Sequence, residues 1–298
     1  MTAAQSPDTE RRAMRVIAVT SGKGGVGKTN LSVNLAITFA QKGRKVLIVD
    51  GDVGLANVDI LLDETPAHTL GDLLKTGDDA VGVEDVLVHS PYGVSVLPGT
   101  SGLADMSELS PEDRLRLMEM LEPLGESYDT VIVDTAAGIG SNARFFAGAA
   151  QEVLVVATPE PTSLADAYAM IKVLNTRCKM DRVGLILNQV ANEAEAREVY
   201  QRLYQLTNRF LPVVLTLGGY VPNDPHVREA VMQQQPVAIA YPSCPGTQAI
   251  QRLADNLLMR PPSAELSGRL QFFWRRLMEG DGPSGPPAAG GATANSPT

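Results

Sequence analysis

Residues Ser21 to Thr29 read S-G-K-G-G-V-G-K-T and follow directly on the apolar run Val16-Ile17-Ala18-Val19. A strand-length apolar run, a glycine-rich turn and then an amphipathic stretch leave few folds open. Gly22, Gly27, Lys28 and Thr29 satisfy the pattern G-x-x-x-x-G-K-[ST], in which glycines let backbone N–H groups converge on phosphate oxygens and the following helix adds its N-terminal dipole. The stretch Gly22, Lys23, Gly24, Gly25, Val26, Gly27, Lys28, Thr29 and Asn30 is therefore the expected phosphate cradle. Lys28 would reach the β- and γ-phosphates and Thr29 would hold Mg²⁺, so ATP with Mg²⁺ is the expected ligand pair.

The rest of the chain repeats the strand-then-helix rhythm. Val46 to Val49, Val94 to Leu97, Val131 to Val133, Val153 to Ala157, Val183 to Leu187 and Val213 to Leu217 are short β-branched runs separated by longer amphipathic stretches. Runs that are apolar throughout suit strands buried on both faces, with helices as crossovers. The expected fold is α/β, a doubly wound and mostly parallel sheet flanked by helices. Its ligand should sit at the carboxyl ends of the strands, where the glycine loop, Asp50, Asp52 and Asp134 all fall.

Composition narrows the setting. With 298 residues, 44% apolar content and a net charge of -9, the chain reads as a globular body with no general attraction to nucleic acid. No direct nucleic-acid contact is expected. Cys178 and Cys244 lie far apart without CxxC spacing, and His68, His89 and His226 are scattered, so neither a disulfide framework nor a zinc site is expected. No signal-peptide core and no run near the ~20 apolar residues of a membrane span is present, which points to a cytoplasmic protein. Four segments are expected: a polar leader at 1–14, the main domain at 15–260, an amphipathic segment at 261–279 set off by Pro261-Pro262, and a Gly/Pro/Ala/Ser-rich tail at 280–298.

A carboxylate at a strand end can hold a metal or orient a water for phosphoryl transfer. The run Val46 to Val49 ends in D-G-D-V-G-L-A-N-V-D at Asp50 to Asp59, and Val131 to Val133 ends in D-T-A-A-G at Asp134 to Gly138. The second matches a Walker B aspartate followed by a switch, with Asp134 reaching Mg²⁺ through water.

The loop K-G-G-x-G-K-T carries a second lysine, Lys23, and resembles the deviant Walker A motif of MinD/ParA-type ATPases, which pair as a sandwich around two nucleotides. That resemblance covers about Val16 to Leu258. It implies a homodimer formed on ATP in which Lys23 crosses to the partner's phosphates and Asn57 contacts the partner. It further implies that Asp52 positions the attacking water, Asp50 lies in the metal's outer shell, Asn188 reads the adenine ring and Pro222 covers it. Within the family, T-P-E-P-T-S-L-A-D-A-Y-A-M-I-K at Thr158 to Lys172, D-T-A-A-G-I-G at Asp134 to Gly140 and P-N-D-P-H-V-R-E-A-V-M-Q-Q-Q-P at Pro222 to Pro236 are similar to the flagellar-number regulators FlhG/FleN, also called YlxH. The resemblance implies a flagellar transcription activator and an FlhF-like flagellar GTPase as partners, although Met1 to Met14 lacks the D-Q-A-x-x-L-R segment associated with that GTPase. Division-site selection of the MinD type and DNA segregation of the ParA type are the alternatives.

In A-E-L-S-G-R-L-Q-F-F-W-R-R-L-M, Ala264 to Met278, helical spacing puts Leu266, Leu270, Phe273, Trp274, Leu277 and Met278 on one face and Arg269, Arg275 and Arg276 off it. Phe272 is the exception. Such a helix can lie in the headgroups of an anionic inner membrane, as the family's targeting helix does, or dock on the protein's own body. One helix binds membrane weakly, and a dimer presents two at an effective concentration in the ~mM range, which would tie membrane residence to ATP.

Overall fold

The structure, a computed structural model, describes residues 14–52, 58, 62, 65–99 and 110–260. The expected leader apart from Met14, Asn57, and the segments 261–279 and 280–298 with Leu266, Leu270, Phe273, Trp274 and Leu277 lie outside the described residues.

In chain order the elements are β1 (Arg15–Ser21), α1 (Lys28–Gln41), β2 (Val46–Gly51), α2 (Val83–Val86), β3 (Val88–His89), β4 (Val94–Leu97), α3 (Pro111–Leu121), α4 (Leu124–Ser127) and β5 (Thr130–Ala137). They continue with α5 (Ser141–Ala149), β6 (Glu152–Ala157), α6 (Pro161–Thr176), β7 (Arg182–Val190), α7 (Glu193–Phe210), β8 (Val214–Pro222), α8 (Pro225–Met232), α9 (Val237–Ala240) and α10 (Pro245–Met259). The eight strands form one sheet in the order β3-β4-β2-β5-β1-β6-β7-β8. Every pairing is parallel except β3 with β4.

Strand alternation explains how one sheet makes two cores. Val16, Ala18, Leu47, Val49, Val131, Val133, Val153 and Val155 join Phe146, Met170 and Leu203 in one cluster, under α5, α6 and α7. Their neighbours Ile17, Val19, Val46, Ile48, Ile132, Leu154 and Val156 join Leu35, Phe39, Ile250 and Leu253 in the other, under α1 and α10. Both faces of the central strands are dry, so the apolar runs carry no polar alternation. At the amino end of the sheet, the buried Arg15 pairs with Glu152 at 2.7 Å and donates to the carbonyls of Leu257 and Arg260. The close of α10 is thereby tied to the start of β1.

The structure departs from the sequence reading in three places. β8 starts at Val214 and runs on to Pro222, because its pairing with β7 passes the irregularity at Gly218 and resumes at Gly219 opposite Ile186. β5 continues past Asp134 to Ala137, so the D-T-A-A stretch is strand before it becomes loop at Gly138. β3 is a two-residue antiparallel edge, too short to show a period in sequence.

Candidate functional site

The central position of β1 sends its carboxyl end into the glycine loop, with β5 on one side and β6 on the other. Gly25 and Gly27 have φ of +77° and +90°, which permits the tight path that brings the loop's amides together. Gly22 is required for a different reason: a Cβ there would lie 2.0 Å from the backbone oxygen of Asp166 in α6. α1 starts at Lys28, directly after Gly27, so the loop ends at a helix N-terminus.

Four of the expected side chains meet at this point. Lys28 is only 8% exposed, and burial lowers its pKa while Asp134 and Asp52 pull it back up. Asp134 is fully buried at the position opposite Asp50 in the β2–β5 register. Its pKa is raised to about 6, chiefly by burial, against hydrogen bonds from Thr29 and Ser32 and the charge of Lys28. Ser32 Oγ donates to Asp134 Oδ1 at 2.8 Å. The backbone N–H of Asp52 donates to Asp50 Oδ1 at 3.0 Å, and the Asp52 pKa is raised by desolvation against Lys28. A buried ammonium, a hydroxyl and a buried carboxylate thus converge at the end of the phosphate loop. They fit a nucleotide's phosphates at Lys28 and Mg²⁺ at Thr29 and Asp134.

Asn188 closes the loop from β7. Its Nδ2 donates to the Val26 carbonyl at 2.8 Å, and a Cβ on Gly27 would come within 2.4 Å of that nitrogen. Pro222 stands next to it, at the end of β8 and in register with Val190. The two residues expected at the base are thus adjacent, with Asn188 fixed to the phosphate loop itself. Asn30 lies in the first turn of α1, and its Nδ2 is buried with no hydrogen-bond partner.

Lys23 is placed within its own chain: Nζ lies 2.7 Å from Glu160 Oε2 and 3.2 Å from Thr162 Oγ1, at the start of α6. The Lys23 and Glu160 side chains are 38% and 61% exposed, so the contact is open to solvent. Sequence reading missed Glu160, Thr162 and Ser32. Ser32 had a signal, since it falls one turn beyond Thr29 on the same helix. Glu160 had none, because its contact with Lys23 spans 137 residues.

Fold and site together define a P-loop nucleotide-binding protein with a lysine-bearing loop at the head of a parallel sheet. An AAA domain family profile matches residues 14–183. The chain is 43% identical over 266 residues to the antiactivator FleN of Pseudomonas aeruginosa, covering 89% of this chain and 94% of that protein. It is 32% identical over 269 residues to the flagellum site-determining protein YlxH of Helicobacter pylori, covering 89% and 90%. The septum site-determining protein MinD of Pyrococcus horikoshii, solved with Mg-ADP, superposes with a TM-score of 0.64 at 28% identity, over 82% of this chain and 96% of that one. The chain belongs to the MinD/ParA-type family of P-loop ATPases, with FleN and YlxH among its relatives.

Proposed function

We propose that this protein is an ATP-driven switch that pairs on ATP, hydrolyses it slowly, and sets the number or placement of flagella. One observation carries the reading: Lys28, Thr29, Asp52 and Asp134 surround a single phosphate loop in a chain 43% identical to FleN over most of both lengths. Mg²⁺-ATP would supply the transferable phosphoryl group and the divalent charge that its departure requires.

The chain's own groups have separate tasks. The loop amides from Gly22 to Gly27 and Lys28 bind phosphate, and Thr29 and Asp134 hold the metal, with Asp50 behind Asp134 in its outer shell. Asp52, held near Lys28, orients water for attack; its raised pKa makes it a readier proton acceptor than an ordinary aspartate. Asn188 and Pro222 face the base. Lys23 leaves Glu160 for the phosphates of a second copy, and Asn57 joins that interface. The segment 261–279, through Leu266, Leu270, Phe273, Trp274 and Leu277, gives the dimer a two-point hold on an anionic inner membrane. Among the described residues no helix is long and apolar enough to cross a membrane. A flagellar transcription activator is the partner such a switch would restrain, and an FlhF-like GTPase a further one.

The test is steady phosphate release by the purified protein, alone and with Asp52→Ala. Turnover abolished by Asp52→Ala supports the reading; equal turnover in both removes Asp52 from its role, and no turnover under any condition leaves a nucleotide-binding scaffold. In cells, deletion of the gene should change flagellar number. Minicells instead would place the chain with division-site MinD proteins.

A further inference from the structure

Just past Pro222, where β8 ends, lies a cluster whose side chains have no role in the proposed switch. Asp224 is the N-cap of α8, His226 stands in its first turn, and Cys244 is the N-cap of α10. A carboxylate oxygen, an imidazole nitrogen and the sulfur of these three residues all lie within 4.8 Å of one another. Asp224 and Cys244 are buried, while the His226 side chain is 44% exposed and opens the cluster to solvent. We propose that Asp224, His226 and Cys244 bind one Zn²⁺, with solvent as the fourth ligand, and that the metal staples the start of α8 to the start of α10.

The donor set selects the metal. One oxygen, one nitrogen and one sulfur suit Zn²⁺, whereas Mg²⁺ and Ca²⁺ seek oxygen alone, so this site does not compete with the phosphate loop for Mg²⁺. The Asp224 carboxylate is also fixed in position. Its Oδ1 accepts from the His226 N–H at 3.0 Å and its Oδ2 from the Gly246 N–H at 2.8 Å. Cys244 caps the 15-residue α10, and its sulfur accepts from the Thr247 N–H at 3.4 Å, which fixes the sulfur at the head of that helix.

The ring is held in place as well. His226 Nδ1 lies 2.8 Å from Asp224 Oδ1, and the Tyr241 ring packs against the imidazole at 4.8 Å between centroids. Tetrahedral Zn²⁺, with bonds of about 2.0–2.3 Å, separates its ligand atoms by about 3.3–3.8 Å. Side-chain movements of about 1 Å convert the present hydrogen-bonded cluster to that geometry. On binding, the Cys244 thiol proton passes to solvent, and the imidazole keeps one proton on the nitrogen that does not face the metal. No electron changes hands.

Sequence reading assigned no zinc site and no chemistry to His226. The ligands arrive from two helix starts separated by α8 and α9, and no CxxC or clustered histidine marks them.

The experiment titrates the full-length, nucleotide-free protein with Zn²⁺ in a Mg²⁺-free buffer against a chromogenic chelator, and repeats it with Co²⁺ as the optical probe. One equivalent should bind, with a thiolate-to-cobalt charge-transfer band. Affinity should fall at least tenfold in both Cys244→Ser and His226→Ala and stay unchanged in Cys178→Ser, whose parent residue lies elsewhere in the core. Serine keeps the helix cap, and the half-exposed His226 can be removed without opening the core, so His226→Ala decides the matter should Cys244→Ser fail to fold. Absence of stoichiometric binding, or binding that survives His226→Ala, overturns the proposal. Neither result depends on ATP turnover, so it stands or falls apart from the switch.

Discussion

Lys23 Nζ and Glu160 Oε2 sit 2.7 Å apart within one chain, across the mouth of the phosphate loop. The lysine that distinguishes this loop from an ordinary one is therefore engaged within its own chain. An exposed pair of this kind is weak, so it costs little to break.

Lys23→Ala should separate pairing from binding. Because Lys28 and the loop amides hold the nucleotide within the chain, ADP affinity should change by less than about 3-fold, while the ATP-dependent rise in mass by light scattering disappears. A variant that still doubles its mass with ATP would remove Lys23 from the interface.

Asp134 makes the protein's stability depend on pH in an unusual direction. Its folded pKa of about 6 lies above the unfolded value of 3.8, so the folded state binds the extra proton. The contribution is fully present below pH 3.8 and is lost as pH rises through 6. Asp134→Asn should therefore match the parent near pH 4 and exceed its stability by about 2 kcal/mol at pH 7, within the ceiling of about 3 kcal/mol that linkage allows. Urea unfolding of both nucleotide-free proteins across this range reads the gap directly. A gap that is constant with pH would show that Asp134 is ionised throughout.

The two-sided apolar strands and the loop motif made the sheet and the phosphate end readable in sequence, since Val16 to Val19 and Val131 to Val133 carry no polar alternation and Gly22 to Thr29 is contiguous. What was hidden depended on contacts between distant segments. Neither Glu160 meeting Lys23 nor Asp224 and His226 meeting Cys244 leaves a periodic trace. The antiparallel β3 was invisible for want of length, and the extension of β8 past Gly218 depended on pairing with β7 that its own composition does not announce.

Gly22 shows the same limit within the motif. The pattern requires glycine for phosphate approach, but the structure adds the Asp166 carbonyl, only 2.0 Å from where a Cβ would stand. Gly22→Ala must push the loop off α6, at a cost of about 1–3 kcal/mol, the range seen for overpacked sites. Thermal unfolding without nucleotide should show the loss, and a melt identical to the parent's would mean that the loop has room to move.

Ser32 is the residue that the motif omits and the geometry supplies. Its hydroxyl is fully buried and donates to Asp134 Oδ1 at 2.8 Å, favouring the ionised carboxylate that a metal requires. Ser32→Ala removes that donor with little change of volume and should cost about 1 kcal/mol of stability. It should also raise the Asp134 pKa above about 6, because a hydrogen bond to the charged form is lost. Mg²⁺-dependent ATP binding at pH 6.5 should then weaken several-fold and recover at pH 8, whereas Mg²⁺-free binding through Lys28 changes little. A defect that is equal at both pH values would mean that Ser32 acts through packing and not through the charge of Asp134.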